Sequence, residues 1–362
     1  MSVEHPEVPL LARGSAEPPT TGYDVALLDL DGVVYVGKDA VPGVPEALAG
    51  AREVGMRLGF VTNNASRTPD EVATHLTELG IPAADTDVIT SSQAAATVVT
   101  ERLGATARVL PVGGPGVAAA AEAAGLTVVG SAEDSPDAVV QGYGAQVGWS
   151  ELAEAVVAVR RGAVHVATNT DATIPSPRGV LPGNGALVGV VSTVTGLPPV
   201  VAGKPDPAMH AECVRRTGAR RPLVVGDRLD TDIEGGRRAG APSLLVFSGV
   251  TDPGTLLGAG PEQRPDLISA DAGGLLTAHP PVEAVDGGWR CGAWQARSET
   301  DDHVVLSPAP AGDRPVGDGL DGLRAVCVAH WHRNRHDGVP ARVSGADAQA
   351  RELVEQWALG TR

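Results

Sequence analysis

The tightest constraint on this chain is Asp29-Leu-Asp31-Gly32-Val33, reached at the end of the apolar run Val25-Ala-Leu-Leu28. A hydrophobic strand running into Asp-x-Asp-Gly brings two carboxylates to the carboxyl end of a buried strand, the edge where open α/β sheets bind ligands. Acids one residue apart on a strand would point to opposite faces. They converge only if the chain leaves the extended state at once, which Gly32 permits. Such a pair suits magnesium-dependent phosphoryl transfer, one carboxylate attacking phosphorus and the other managing the leaving-group proton. Alone, the tetrapeptide also fits a calcium loop or a plain turn. An EF-hand loop, however, needs a third acid before its glycine, a glutamate at its twelfth position and flanking helices.

Three more apolar stretches end in polar groups. Leu58-Gly-Phe-Val61 leads into Thr62-Asn63-Asn64, Pro199-Val-Val-Ala202 into Gly203-Lys204-Pro205-Asp206, and Pro222-Leu-Val-Val225 into Gly226-Asp227-Arg-Leu-Asp230-Thr-Asp232. A phosphoryl group needs a hydroxyl and backbone N–H groups around its oxygens, which the Thr62-Asn63-Asn64 loop offers. It needs a cation, which Lys204 offers. Magnesium takes oxygen ligands in near-octahedral geometry and keeps several waters, so Asp29, the Asp31 carbonyl and Asp227 suffice.

The four motifs, in this order, resemble the haloacid dehalogenase superfamily of phosphatases over about residues 24 to 282. The resemblance implies a Rossmann-like, doubly wound parallel sheet of the α/β class and a Mg²⁺ cofactor. It implies Asp29 as nucleophile, forming an aspartyl-phosphate, and Asp31 as general acid/base. Thr62 and Lys204 become phosphate anchors. Asp29, Asp31 and Asp227 form the metal site, with Asp232 as a further acid orienting metal-bound water.

Spacing sets the domain plan. Asp29 and Thr62 are 33 residues apart, room for one strand–helix crossover. Thr62 and Lys204 are 142 apart, far more than a crossover needs, so a domain is inserted between them. The expected division is a loose tail over residues 1–22, a core from 23–92 and 198–282, an inserted α/β domain over 93–197, and an α+β extension over 283–362. The insertion resembles a class IIA cap of the nitrophenylphosphatase-like branch. Thr168-Asn169-Thr170-Asp171 through Leu181-Pro-Gly183-Asn184-Gly185-Ala186 resembles the segment linking cap to core in that branch. Its glycine-rich turn opening a helix offers N–H donors; a simple hinge explains most of these residues equally well. Asn169 and Asp171 are the candidates for substrate selection. Thr68-Pro69-Asp70-Glu71 predicts a capped helix start, with an end at Gly80.

Beyond Ala284 the pattern predicts a strand over 288–296, a strand over 303–306, a helix over 321–332, a strand over 340–343 and a helix over 346–359. Arg314-Pro-Val-Gly317-Asp-Gly319 formally matches the pyrophosphate loop of GNAT-type acetyltransferases. Asp313, Asp318 and Asp321 put negative charge where a pyrophosphate would sit, so a GNAT-like packing module without acetyl transfer is expected. His330-Trp-His332-Arg-Asn-Arg-His336 reads as a basic helix end meeting its own dipole, and Trp331 and Trp357 as core or interface.

The formal charge of −16 disfavours nucleic acid and anionic membranes as partners. Cys213, Cys291 and Cys327 lie far apart, with neither zinc spacing nor a disulfide framework, so a cytoplasmic location is expected. No signal peptide or membrane span is expected. A core fused to a GNAT-like extension resembles actinobacterial glycerol-3-phosphate phosphatases. That resemblance implies a small phosphorylated metabolite as substrate, glycerol 3-phosphate first and phosphoglycolate second. A generalist phosphatase of nitrophenyl or pyridoxal phosphate, regulated or made a homodimer by the extension, is the alternative.

Overall fold

The computed structural model describes residues 8–176, 178–310 and 317–359. The chain divides into two compact units, Met1–Leu58 with Arg221–Arg362, and Gly59–Arg220.

In the first unit, four parallel strands lie in the order Leu267–Ser269, Ser243–Val246, Pro222–Gly226, Val25–Asp29. Their near-continuous apolar runs are what a sheet covered on both faces requires; Val25, Ala26, Leu28, Leu223, Val225, Leu244 and Leu245 are all buried. Val25–Asp29 pairs with Pro222–Gly226 in a register that sets Leu28 beside Val225. The next residues on each strand, Asp29 and Gly226-Asp227, therefore emerge at one edge.

The extension forms a five-stranded sheet in the order Glu283–Val285, Gly288–Cys291, Trp294–Thr300, His303–Pro308, Arg342–Gly345, antiparallel except for the last pair. The single strand expected over 288–296 is two. The chain reverses at Gly292, whose φ is +51° and where a Cβ would lie 2.1 Å from Asp321 Oδ2. The helix Asp321–Arg333 packs across this sheet, and its Trp331 shares a hydrophobic core with Leu229, Ile233, Leu245 and Leu256. Trp331 Nε1 donates to the Leu257 carbonyl (3.0 Å), and the Arg264 guanidinium sits 5.4 Å from its ring. Trp357 belongs to the same core.

Two expectations change here. The loose tail over residues 1–22 is, from residue 8 on, held in place; residues 1–7 lie outside the described residues. Leu11 and Ala12 are buried in the shared core, and Ser15 and His279 exchange backbone hydrogen bonds of 2.7 and 2.8 Å. Three apolar residues, Leu10-Leu11-Ala12, outweigh the polar composition around them. In the Asp321–Arg333 helix burial lowers the pKa of both His330 and His332, which leaves Arg333 as the cation of its last turn. The His330 Nε2 meets the Val339 carbonyl at 2.7 Å.

At the start of this helix, Arg324 is 1% exposed. It donates to Asp318 (2.7 and 2.6 Å), to Asp321 (3.3 Å) and to the Ile268 carbonyl (2.8 Å). Burial pushes both carboxyls up; at Asp318 the hydrogen bonds and charge of Arg324 overcome it and hold the group below the usual carboxylate range. A Cβ on Gly317 would lie 2.2 Å from Asp321 Oδ2, so the loop closes on that carboxylate. The helix N-terminus is thus filled by the chain's own acids. Asp313 and Arg314 lie outside the described residues.

In the second unit, the strand Arg57–Thr62 pairs with Val88–Thr90 from Phe60 onward. The helix Pro69–Glu78 begins as expected: Thr68 and Glu71 form a reciprocal capping box, and Gly80 follows with φ +83°. A second, fully parallel sheet has the order Val200–Val201, Val164–Ala167, Ala138–Gln141, Arg108–Val112, Thr127–Val128. The helices Pro115–Ala123, Trp149–Arg160 and Asn184–Thr195 accompany it, and Thr173–Ser176 pairs with Gly179–Pro182 as a hairpin. The strand leading to Lys204, placed by motif spacing with the core, adds to the edge of this sheet: Val200 and Val201 pair with Val166 and Ala167.

Candidate active site

In the first unit the strand Val25–Asp29 ends as the residue pattern demands. The Leu30 carbonyl accepts from Val33, Val34 and Tyr35, and Gly32 takes φ +85°. Asp29 is half-buried and Asp31 exposed on this turn. Ligand oxygens of Asp29, Asp227 and Asp232 all lie within 4.8 Å of one another. Asp227 and Asp232 are buried. Asp232 sits on the wide helical turn Leu229–Ile233, where the Arg228 N–H donates to its Oδ2 at 3.1 Å. Asp227 Oδ2 accepts from the Val250 N–H at 2.7 Å.

Glycines make this density of carboxylates possible. A Cβ would lie 2.4 Å from Asp227 Oδ2 at Gly32, and 1.9 Å from the same atom at Gly249. Three convergent carboxylates repel one another unless a cation sits among them, and hard oxygen donors alone are the set magnesium takes. The residues present therefore fit a divalent cation. Asp31 lies outside this trio and its side chain is not a ligand candidate there; the expected contribution was its carbonyl.

The phosphate-loop residues gather in the second unit. The Thr62 hydroxyl accepts from the Asn64 N–H at 3.0 Å, which leaves its own proton to donate. Asn64 Oδ1 accepts from the Ser66 N–H (2.9 Å) and hydroxyl (2.7 Å), so this side chain shapes the loop. Asn63 Oδ1 accepts from the Lys204 N–H at 2.8 Å; its Nδ2 donates to the Lys204 carbonyl at 3.1 Å and to Asp171 Oδ2 at 3.3 Å. Asn169 Nδ2 donates to the Asn63 carbonyl at 2.7 Å. Thr62, Asn63, Asn64, Lys204, Asn169 and Asp171 are thereby one connected group.

One expectation fails in detail. Two N–H groups of the glycine-rich turn at 183–185 are already engaged: Gly183 donates to the Ala172 carbonyl and Gly185 to the Asp171 carbonyl, both at 2.9 Å. Sequence reasoning also passed over Ser91, whose hydroxyl donates to the Asn63 carbonyl at 2.8 Å, and the Ser248-Gly249-Val250 loop. The loop follows the apolar strand Ser243–Val246, which was signal enough to find it.

Comparison with known proteins agrees with this arrangement. Residues 26–127 match the family described as haloacid dehalogenase-like hydrolase, residues 201–275 a related hydrolase-like family, and residues 291–359 a GCN5-related N-acetyltransferase-like domain. The chain is 43% identical over 346 residues to D-glycerol 3-phosphate phosphatase of Mycobacterium tuberculosis, covering 93% of this chain and 94% of that protein. It is similar to crystal structures of glycerol phosphate phosphatase from that organism, solved with calcium (TM-score 0.87, 41% identity, 96% of this chain, 100% of that one) and with magnesium (0.84, 43%, 95% and 99%). It is also similar to a 4-nitrophenylphosphatase from Thermotoga maritima (TM-score 0.66, 31% identity, 71% and 98%). Strand-end carboxylates, a phosphate loop and likeness along nearly the whole chain agree: this chain belongs to the haloacid dehalogenase-like hydrolases and carries a GNAT-like C-terminal domain.

Proposed function

We propose that the chain is a magnesium-dependent phosphatase that hydrolyses glycerol 3-phosphate to glycerol and phosphate. The observation that carries the reading is the 43% identity to D-glycerol 3-phosphate phosphatase, which runs through both the hydrolase region and the extension. The trio Asp29, Asp227 and Asp232 supports the metal dependence.

Two steps follow from the residues. An Asp29 carboxylate oxygen attacks phosphorus, the bond from phosphorus to the glycerol oxygen breaks, and Asp31 gives that oxygen its proton. Asp31 then takes a proton from water, whose oxygen attacks the aspartyl-phosphate; phosphate leaves and Asp29 is restored. The Thr62 hydroxyl, the Asn63 N–H and Lys204 hold the non-bridging oxygens. Asp29, the Asp31 carbonyl and Asp227 would hold magnesium, with Asp232 orienting a water, and the bound cation would supply positive charge against the anionic ester. Asp171 is the candidate for reading the glycerol hydroxyls.

The compartment we infer is the cytoplasm. Cys213, Cys291 and Cys327 are buried free thiols, and no helix among the described residues is long and apolar enough to cross a membrane.

The test is a panel of small phosphate esters assayed with magnesium and ranked by kcat/KM. A site built to hydrogen-bond a hydroxyl rejects the analogue lacking it by roughly 10⁴ or more. Glycerol 3-phosphate should therefore clearly outrank propyl phosphate. Equal turnover of glycerol, propyl and pyridoxal phosphates would identify a generalist instead, and phosphoglycolate at the top would replace the substrate.

A further inference from the structure

The polar side chains around the phosphate loop are joined by amides of one kind, in a chain that reaches away from the loop. We propose that Asn169 and Asn184 are positioning residues: with Asn63 they form a relay of three carboxamides that fixes the geometry of the phosphate anchors, and neither touches the leaving group. The proposal rests on the reading of Thr62, the Asn63 loop and Lys204 as those anchors.

The relay begins at Asn63. Its carboxamide pairs with both backbone polar groups of Lys204, accepting at 2.8 Å and donating at 3.1 Å, as a neighbouring strand would. That pairing fixes where the Lys204 side chain starts. It also demands Gly203, where a Cβ would lie 2.6 Å from Asn63 Oδ1 and 2.2 Å from the Thr168 carbonyl. The backbone of Asn63 is held in turn, its carbonyl accepting from Asn169 Nδ2 (2.7 Å) and the Ser91 hydroxyl (2.8 Å). A carbonyl has two lone pairs, so both are used.

Asn169 is 4% exposed, and both ends of its side chain are engaged inside the protein. Nδ2 donates to Asn63, and Oδ1 accepts from the Asp171 N–H at 3.2 Å. The third amide, Asn184, is 2% exposed and opens the helix Asn184–Thr195. Its Nδ2 donates to the Asn169 carbonyl (2.8 Å) and to the Gln141 carbonyl at the end of the strand Ala138–Gln141 (3.3 Å). Each link is an amide N–H meeting a backbone carbonyl. A short, uncharged amide suits all three places because its N–H donates to a carbonyl; at Asn63 and Asn169 the amide oxygen accepts as well, whereas the buried Asn184 Oδ1 has no hydrogen-bond partner among the described residues. Aspartate would set acceptor against acceptor, and an apolar residue would leave buried carbonyls unpaired. The glycines beside Asn184 serve the same closeness: a Cβ at Gly183 would lie 2.3 Å from the Asp171 carbonyl oxygen, and one at Gly185 2.2 Å from that of Thr170.

Positioning of this sort is worth about 10- to 100-fold in activity when the outer partner is lost, and a misplacement of about 1 Å costs on the order of 10² in rate. The test uses the full chain with Asn169→Asp and the milder Asn169→Ser, with Asn184→Asp as an independent break further along. Each is assayed with magnesium on glycerol 3-phosphate, propyl phosphate and nitrophenyl phosphate. Inorganic phosphate affinity is measured by calorimetry and the melting temperature by circular dichroism. The relay predicts that N169D lowers kcat/KM for all three esters by a common factor of about 10 to 100 and weakens inorganic phosphate in step. N169S should show the same pattern at smaller size, and N184D the same pattern again. A loss confined to glycerol 3-phosphate would make Asn169 a substrate-reading residue and overturn the proposal. So would unchanged phosphate affinity in folded variants. Phosphate affinity lost in N169D, in a protein that hydrolyses none of the esters, would sink the proposed function and leave the relay standing.

Discussion

Asp29 and Asp31 are separated by one residue and by their surroundings, the first half-buried among carboxylates and the second exposed on the turn that Gly32 opens. In the proposed mechanism that contrast divides the chemistry between them. Asp29→Asn keeps the shape and removes the attacking charge, so kcat should fall by roughly 10⁴ or more, as when other covalent nucleophiles are removed. Asp31→Asn removes the proton donor and should cost much less on nitrophenyl phosphate than on glycerol 3-phosphate, because a nitrophenolate leaves without a proton. Steady-state kinetics on the two esters reads this directly; an equal loss on both would remove Asp31 from the acid role. The convergence of Asp29 and Asp227 was legible because acids at the ends of apolar strands have few structural uses. Asn184 was not: a buried asparagine beside two glycines reads as turn chemistry until its hydrogen bonds to Asn169 and Gln141 are seen.

The elements around the carboxylates show why some glycines in this chain are not interchangeable with alanine. Gly249 follows the strand Ser243–Val246, and its absent side chain leaves room for the Asp227 carboxylate, which the neighbouring Val250 N–H holds at 2.7 Å. Gly249→Ala should displace Asp227 and weaken magnesium. The expected result is a rise of about tenfold or more in the magnesium concentration for half-maximal activity, partly reversed by excess metal. A magnesium titration with unchanged midpoint would show that the loop yields instead. At this scale the sequence spoke clearly where periodicity met punctuation, as at Thr68-Pro69 and Gly80, both of which mark the helix they were expected to mark. It failed where a glycine reverses the chain inside a run otherwise compatible with one strand, Trp289-Arg-Cys-Gly292-Ala-Trp294. Gly292 turns one expected strand into two because Asp321 stands against it, and Asp321 is distant in sequence. The edge strand Val200–Val201 was misplaced for a related reason: two residues carry no pattern that says which sheet they join.

For the molecule as a whole, the extension is part of the first unit's core. Arg324 ties it to the parallel sheet through the Ile268 carbonyl while pairing with Asp318 and Asp321. Removing one side of a buried ion pair leaves the other charge uncompensated, at a cost of about 3–5 kcal/mol. Arg324→Ala should therefore lower the free energy of unfolding by that much in a denaturant titration, and wild-type stability in the variant would mean the cluster is only incidental. Expression follows a similar logic. Leu11 and Ala12 pack in the same core as Trp331 and Trp357, so residues made early share a core with residues made much later. The unit Gly59–Arg220 is one continuous stretch and has all its residues early in synthesis. The other unit has not: until Trp331 and Trp357 are made, its apolar faces lack part of their core. Until those residues arrive, that exposed apolar surface is the part of the growing chain most open to aggregation.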